Sequence, residues 1–151
     1  MVRNITRFDY DKIIAAMKEF RLESNRQSHL SNDYDLAHIT KVLDYCRLSG
    51  VCLVAEDNDN NLQGFLISAK NTDLWQPNIV RLQELLWWVR PELRDTSIGG
   101  KLLLKYKQQA EQKKTKGEIF SYTIGRANIT KDIDFSRQGF KFYESLYVIG
   151  E

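Results

Sequence analysis

One short polar turn in the chain has residue types and spacing suited to binding an anion. A bulky apolar run that ends at Val89 precedes it, and Arg90-Pro91 breaks that run because proline supplies no N–H. The residues of the turn and of the segment that it opens are Arg94, Asp95, Thr96, Ser97, Ile98, Gly99 and Gly100. Apolar residues at helical spacing follow. A strand, a small-residue turn and a helix in this order aim free N–H groups and the positive helix end at one point, which suits a phosphate or pyrophosphate.

Glycines by themselves are weak evidence for a ligand. Gly99 and Gly100 are equally explained by close packing of a helix against a strand, with nothing bound. The rest of the chain has to decide between these two interpretations.

Composition indicates one ordinary globular domain over residues 1–151. The chain is 42% hydrophobic and 28% charged, and its net charge of +2 does not favour nucleic-acid binding. No apolar run reaches the roughly 18 residues of a membrane helix, and the N-terminus lacks the apolar core of a secretory signal. Cys46 and Cys52 have no metal-ligand spacing and are interpreted as small buried hydrophobes. We therefore expect a cytoplasmic protein without a metal.

The hydrophobic pattern predicts an α/β (α+β) domain in the order β-α-α-β-β-β-α-β-α-β, with a mixed central sheet of about six strands and four helices. Apolar runs from Val51 to Ala55 and from Leu62 to Ala69 flank a turn-forming Asp/Asn cluster, which predicts a β-hairpin. The strand and helix around the anion turn come next, and Gly117 ends that helix. A short helix over 128–138 and a strand over 140–149 complete the prediction.

Two further groups of residues extend the pattern of the turn. Val89-Arg90-Pro91 stands before it, and Asn128 is followed seven residues later by Phe135 and then by Gly139-Phe140. With the element order, these landmarks resemble the GNAT superfamily of acyl-CoA N-acyltransferases over essentially the whole chain. That family carries Val-x-Pro before Gln/Arg-x-x-Gly-x-Gly/Ala at the start of its third helix. Within it the chain looks most like compact acetyltransferase-like proteins of bacteriophage and bacterial genomes.

The resemblance implies that acetyl-CoA binds where the strand before the third helix and the next strand splay apart. The pantetheine arm would pair with the main chain of the first strand, and N–H groups of the turn would hold the pyrophosphate. The residues implied to contact the cofactor are Trp87, Trp88, Val89, Arg94, Asp95, Thr96, Ser97, Ile98, Gly99, Gly100 and Asn128. Core positions for the two tryptophans and a solvated turn position for the arginine remain alternatives.

Three positions depart from the family pattern. Ser97 replaces the first motif glycine, and Asp95 stands where glycine commonly follows the arginine, so a carboxylate near the pyrophosphate would lower the affinity for acetyl-CoA. Phe135 occupies the position of a tyrosine whose hydroxyl protonates the departing thiolate in many members. Because a thiol has a pKa of about 8.5, thiolate is a tolerable leaving group. Tyr122, Tyr143 or a water are the candidate replacements.

Catalysis, as the resemblance implies it, is direct attack of an amine on the acetyl carbonyl without a covalent enzyme intermediate. A carboxylate would take the amine proton directly or through one water. Glu84 is the candidate, because alternation along the strand places it on one face with Leu86 and Trp88. A charge at the strand's outer end is the alternative interpretation. Glu23, in the polar segment expected to line the acceptor pocket, is a second candidate.

Two functions from different classes remain. The first is an acetyl-CoA-dependent N-acetyltransferase of the EC 2.3.1 class that acts on an amine of a small molecule or protein. The second is a catalytically degenerate GNAT-fold protein that acts by protein binding, which Phe135 and Asp95 favour. A nucleotide-binding protein is disfavoured because the P-loop Lys-Ser/Thr pair is absent. The expected partners are acetyl-CoA and an amine acceptor, without nucleic acid or membrane. A homodimer is an open alternative to a monomer. A phage-encoded chain would be located in the host cytoplasm.

Overall fold

The computed structural model describes residues 1–23, 34–125 and 133–144. In chain order, the strands and α-helices of these ranges are β1 (Val2–Asn4), α1 (Tyr10–Glu23), α2 (Leu36–Ser49), β2 (Cys52–Glu56), β3 (Leu62–Thr72), β4 (Val80–Val89), α3 (Ile98–Thr115) and β5 (Ser121–Tyr122). Short 3-10 turns cover Arg7–Asp9, Pro91–Leu93 and Phe135–Gln138. None of the helices in these ranges has both the length and the apolarity that crossing a bilayer requires.

The strands form one mixed sheet in the order β1-β2-β3-β4-β5. Every neighbouring pair is antiparallel except β4 and β5, which are parallel. This confirms the predicted α/β class, the mixed sheet and the β2–β3 hairpin. The long β3–β4 pairing gives the sheet its rigid centre, and β5 is a short addition at its edge.

Helices cover both faces of the sheet and divide the core in two. On one face, α1 and α2 pack on β2 to β4 through residues such as Ile13, Leu43 and Phe65. On the other face, α3 packs through Leu102 and Tyr106, both fully buried. Because β2 and most of β3 are buried on both sides, their sequences are continuous apolar runs rather than alternating ones. Cys46 and Cys52 are buried free thiols in the first core, as predicted.

Local signals set several helix ends. The Asp35 carboxylate accepts from the His38 N–H at 2.9 Å and caps α2. Gly117 follows α3 with φ 73°, a left-handed conformation that glycine adopts without strain. The end of α3 at Gly117 agrees with the sequence prediction.

The end of the chain differs from the prediction. Only the 3-10 turn Phe135–Gln138 is helical in the described part of the predicted 128–138 helix, and residues 140–144 form no strand. The turn is short because the Asp134 side chain caps its start and Gly139, at φ 83°, ends it after four residues. The described ranges therefore hold five strands and three α-helices instead of six and four.

A β-bulge in β4 was also absent from the prediction. Ile67 of β3 pairs with Leu86, but the next residue, Ser68, pairs with Glu84, so that Leu85 is an extra residue without a partner in β3. One extra residue reverses the alternation of faces along the strand.

The bulge changes the surroundings of the candidate base. Glu84 lies on the α3 side of the sheet with Leu82, whereas Leu86 and Trp88 face α1 and α2. The prediction that Glu84 shares a face with Leu86 and Trp88 is therefore wrong. Regular alternation holds only on either side of Leu85.

Candidate active site at the open edge of β4

The strands β4 and β5 separate soon after they meet. Arg81 pairs with Ser121 and Leu82 with Tyr122, and the Thr123 N–H donates to the Leu82 carbonyl at 2.9 Å. Beyond this point β4 runs on to Val89 and, within the described ranges, pairs only with β3. The second edge of β4 is thus a slot that offers main-chain hydrogen bonds to an extended ligand.

The direction of the β4 main-chain groups determines which residues can form hydrogen bonds to a ligand in the slot. The Arg90 N–H donates to the Gln63 carbonyl of β3 at 2.9 Å, so residue 90 directs its main chain away from the slot. Alternation then turns the N–H and C=O of Val89 and Trp87 to the open edge, and those of Trp88 to β3.

The two tryptophans have different surroundings. Trp88 is 2% exposed and stacks on Phe65 with ring centroids 5.7 Å apart, inside the core beneath α1 and α2. Trp87 lies on the α3 side, where its ring is 6.2 Å from that of Phe135. Neither the side chain nor the main chain of Trp88 faces the slot. We therefore drop Trp88 from the cofactor contacts implied by the sequence and keep Trp87.

Glu84 lies at the point where the strands separate. Its Oε2 accepts from the Gly125 N–H, just after β5, at 2.9 Å. Burial raises the pKa of Glu84 to about 7, and the bond from Gly125 opposes that shift. A carboxyl group with a pKa near neutrality exchanges protons readily at physiological pH. This environment differs from that of a solvated charge at the end of a strand, which was the alternative interpretation.

The start of α3 leaves main-chain donors without partners. The first hydrogen bond of the helix runs from the Lys101 N–H to the Ser97 carbonyl at 2.9 Å. The N–H groups of Gly99 and Gly100 precede it, and no described residue supplies an acceptor for them. Together with the positive end of an 18-residue helix, they can bind an anion.

Packing does not explain the two glycines. A Cβ at Gly100 would meet no described atom within 4 Å, and one at Gly99 would lie 3.6 Å from Val89 Cγ2 and 3.7 Å from Trp87 Cζ2. Those are ordinary van der Waals distances. The space at this turn and its free donors fit a pyrophosphate, so the packing interpretation loses its basis here.

Arg94 makes two fixed contacts at the head of the turn. Its Nε–H donates to the Val89 carbonyl at 3.0 Å, and a terminal guanidinium nitrogen pairs with the Glu23 carboxylate at the end of α1. Arg94 is exposed, but these two contacts hold its side chain in place. Glu23 is engaged in an ion pair and is poorly placed to act as a second base. The other predicted turn residues, Asp95, Thr96 and Ser97, are exposed.

Aromatic rings line the α3 side of the slot. Phe135 contacts Trp87 and Phe140, Phe140 contacts Tyr122, and Tyr122 contacts Tyr106, with ring centroids 5.6 to 6.2 Å apart. These contacts form a row that joins the half-buried rings on this side of the slot to the buried Tyr106.

The two tyrosine hydroxyls of this row already have acceptors. The Tyr122 hydroxyl donates to Glu111 Oε1 at 2.6 Å, and burial together with this bond raises the pKa of Tyr122. The Tyr106 hydroxyl donates to the Thr123 carbonyl at 2.8 Å. Tyr143, the other candidate, is 74% exposed, and Asn128 lies outside the described residues.

Sequence reasoning missed two features of this site: the Gly125 N–H that holds Glu84 and the Glu23 carboxylate that holds Arg94. Gly125 follows an apolar strand, which is a recognisable signal for a turn but not for its partner. The Arg94–Glu23 pair joins residues 71 positions apart and has no local signal.

Solved structures of other proteins share the fold of this chain, whereas sequence comparisons find no match. No protein-family model and no curated protein matches the chain. Among solved structures, a predicted acetyltransferase with acetyl-CoA from Clostridium acetobutylicum matches with a TM-score of 0.73 and 12% identity, over 99% of this chain and 95% of that one.

Two further structures match over similar lengths. An aminoglycoside acetyltransferase from an uncultured soil metagenomic sample, in complex with sisomicin, has a TM-score of 0.68 and 18% identity, over 100% of this chain and 93% of that one. A ribosomal-protein-alanine N-acetyltransferase from Brucella melitensis biovar Abortus 2308 has a TM-score of 0.66 and 14% identity, over 99% and 98%. The chain has the GNAT acetyltransferase fold, as the motif residues indicated.

Proposed function

We propose that the chain is an N-acetyltransferase that transfers an acetyl group from acetyl-CoA to an amine of a small molecule or protein. The observation that carries this proposal is Glu84, a carboxyl group with a pKa of about 7 at the point where β4 and β5 separate. The anion-binding turn lies at the other end of the same slot. A base and a phosphate site joined by an open strand edge suit an acyl-CoA thioester and an attacking amine.

Different groups of the chain would bind different parts of acetyl-CoA. The N–H groups of Gly99 and Gly100 would hold the pyrophosphate, and the main chain of Trp87 and Val89 would pair with the extended arm. Asn128 stays a predicted contact. When bound, acetyl-CoA supplies an activated acetyl thioester. The short slot and the aromatic row would limit access of water to it.

Glu84 would accept the proton that the amine loses. Above pH 7 the carboxylate predominates, and the Gly125 N–H stabilises its charge. Because burial favours the neutral form, the carboxylate is a stronger base than an exposed glutamate. Because Phe135 has no hydroxyl, it cannot protonate the departing thiolate. A thiol pKa of about 8.5 makes the unprotonated thiolate a tolerable leaving group.

The test is acetyl transfer measured as release of the CoA thiol, with an aminoglycoside, a diamine and a peptide N-terminus as acceptors. We expect turnover with at least one of these amines and a rate that rises with pH through about pH 7. Glu84→Gln should lower the rate by about 10²- to 10⁴-fold. Glu92→Gln, which removes an exposed carboxylate beside the turn, serves as the control and should keep the rate.

Equal rates for Glu84→Gln and the parent chain would remove Glu84 from the reaction. Binding of acetyl-CoA without turnover would favour the other function, a degenerate protein that acts by protein binding. The observations on its side are Phe135, which has no proton to donate, and Asp95, a carboxylate within the turn.

A further inference from the structure

One ion pair connects the cofactor turn to the far side of the sheet. Glu23 is the last described residue of α1, and Arg94 is the first residue of the turn. Their side chains are only 24% and 31% exposed, so the pair is partly shielded from solvent. Within the described ranges it is the ion pair that joins α1 to this turn.

The guanidinium lies at the edge of the slot. The carbonyl of one residue and the N–H of the next point in opposite directions across a trans peptide. Since the Arg90 N–H points to β3, the Val89 carbonyl points to the slot, and that carbonyl accepts from Arg94 Nε at 3.0 Å. Arg94 is thus held beside the place where we locate the pyrophosphate, with donors directed to Val89 and to Glu23.

Glu23 occupies an unfavourable position without its partner. Its side chain is only 24% exposed, and a partly buried carboxylate is destabilising unless an opposite charge compensates it. Arg94 supplies that charge from another element. A phosphate bound at the turn is a second anion beside the same guanidinium, and it repels Glu23 while attracting Arg94.

We propose that Glu23 is a positioning residue through which occupancy of the phosphate site at the turn loosens the part of α1 that carries Glu23. Bound phosphate draws Arg94 from Glu23, and this part of α1 opens more readily once the carboxylate has lost its compensating cation. Cofactor binding and the α1 side of the sheet are thereby linked. The inference rests on the proposed acetyl-CoA site, because it needs an anion at the turn.

The test is amide hydrogen exchange on the full chain with and without CoA, resolved for peptides that cover residues 17–23 and 94–100. CoA should slow exchange in the turn and speed exchange in the α1 peptide over residues 17–23. Glu23→Gln should abolish the α1 response and, with the competing charge removed, bind CoA about 2- to 5-fold more tightly by calorimetry, the scale of an exposed ion pair. Thermal unfolding of each variant checks that the domain is folded.

Glu92→Gln is the matched control. Its carboxylate lies near the same turn, 3.8 Å from Arg90, and is 63% exposed. This variant removes one negative charge close to the phosphate without touching Arg94, so it should leave the α1 response in place and change the affinity less than Glu23→Gln.

An unchanged or slower α1 exchange in the parent chain with CoA bound would overturn the coupling while leaving the acetyl-CoA site intact. So would equal affinities of Glu23→Gln and Glu92→Gln. If CoA changes neither the turn nor the heat of mixing, the acetyl-CoA site itself fails, and the coupling fails with it. The turn peptide separates these two cases because it reports binding directly.

Discussion

Among single residues, Glu84 makes the chain's stability depend on pH. Its pKa is about 7 in the folded chain, against 4.5 for an unperturbed glutamate. Between these values the unfolded chain gives up a proton that the folded chain keeps, so the free energy of unfolding falls as the pH rises. The loss is absent below about pH 4.5 and complete above about pH 7.

Glu84→Gln should remove this pH-dependent loss in the free energy of unfolding. Glutamine cannot ionise, and its amide oxygen can still accept from the Gly125 N–H. At pH 8 the free energy of unfolding of the variant should therefore exceed that of the parent chain, on the order of 1–3 kcal/mol for a partly buried group. At pH 4, where the carboxyl group is largely protonated in both states, the substitution should change the free energy of unfolding little. Urea unfolding at pH 4, 5.5 and 8 measures the difference. A gain that is the same at all three values would contradict the raised pKa.

Phe135 sets the second prediction at this scale. Phe135→Tyr adds a hydroxyl to a ring that already lies against Trp87 and Phe140, at the position where many GNAT proteins carry their acid. We expect acetyl transfer to be unchanged or to rise, by up to about 10²-fold, the low end of a positioned acid. Phe140→Tyr, one ring further from the slot, is the control and should leave the rate unchanged. A tenfold fall in Phe135→Tyr alone would show that this position has another role.

Among the elements, β4 combines what the sequence predicts with what it cannot. Its apolar run and the Arg90-Pro91 break are local signals, and both the strand and its end follow them. The bulge at Leu85 is visible only in the pairing with Ile67 and Ser68 of β3, so it has no local signal. For that reason the sequence identified Glu84 but assigned it to the wrong face.

The contact between β5 and α3 leads to a prediction about the group that protonates the departing thiolate. The Tyr122 hydroxyl donates to Glu111 on α3 at 2.6 Å, outside the slot. Tyr122→Phe should lower the free energy of unfolding by about 0.5–1.5 kcal/mol and leave acetyl transfer unchanged, because only this hydrogen bond is lost. Thermal unfolding and the transfer assay measure the two effects. A fall in rate of about 100-fold with retained stability would make Tyr122 the missing acid.

For the molecule as a whole, the predictions that held rest on local patterns. The hairpin after Val51, the start of α3 at Ile98 and its end at Gly117 follow from apolar periodicity and glycine placement. The helix predicted over 128–138 is, in its described part, only a 3-10 turn, because the Asp134 side chain caps a segment that starts at Phe135. The Glu23–Arg94 pair and the Glu84–Gly125 bond depend on the assembled sheet, which brings residues 71 and 41 positions apart into contact.

The central claim is that the turn before α3 binds the pyrophosphate of acetyl-CoA, and calorimetric titration with acetyl-CoA tests it most directly. We expect the parent chain and Gly99→Ala to bind, since a Cβ at Gly99 meets only ordinary contacts and the N–H remains. Gly99→Trp should lose binding while staying folded, because an indole on a Cβ beside Val89 and Trp87 occupies the slot next to the N–H groups. Thermal unfolding checks this, as acetyl-CoA at about 100 times its Kd adds roughly 2.7 kcal/mol to the chains that bind it. Equal affinity in Gly99→Trp, or no heat and no thermal shift in the parent chain at millimolar acetyl-CoA, would contradict the account.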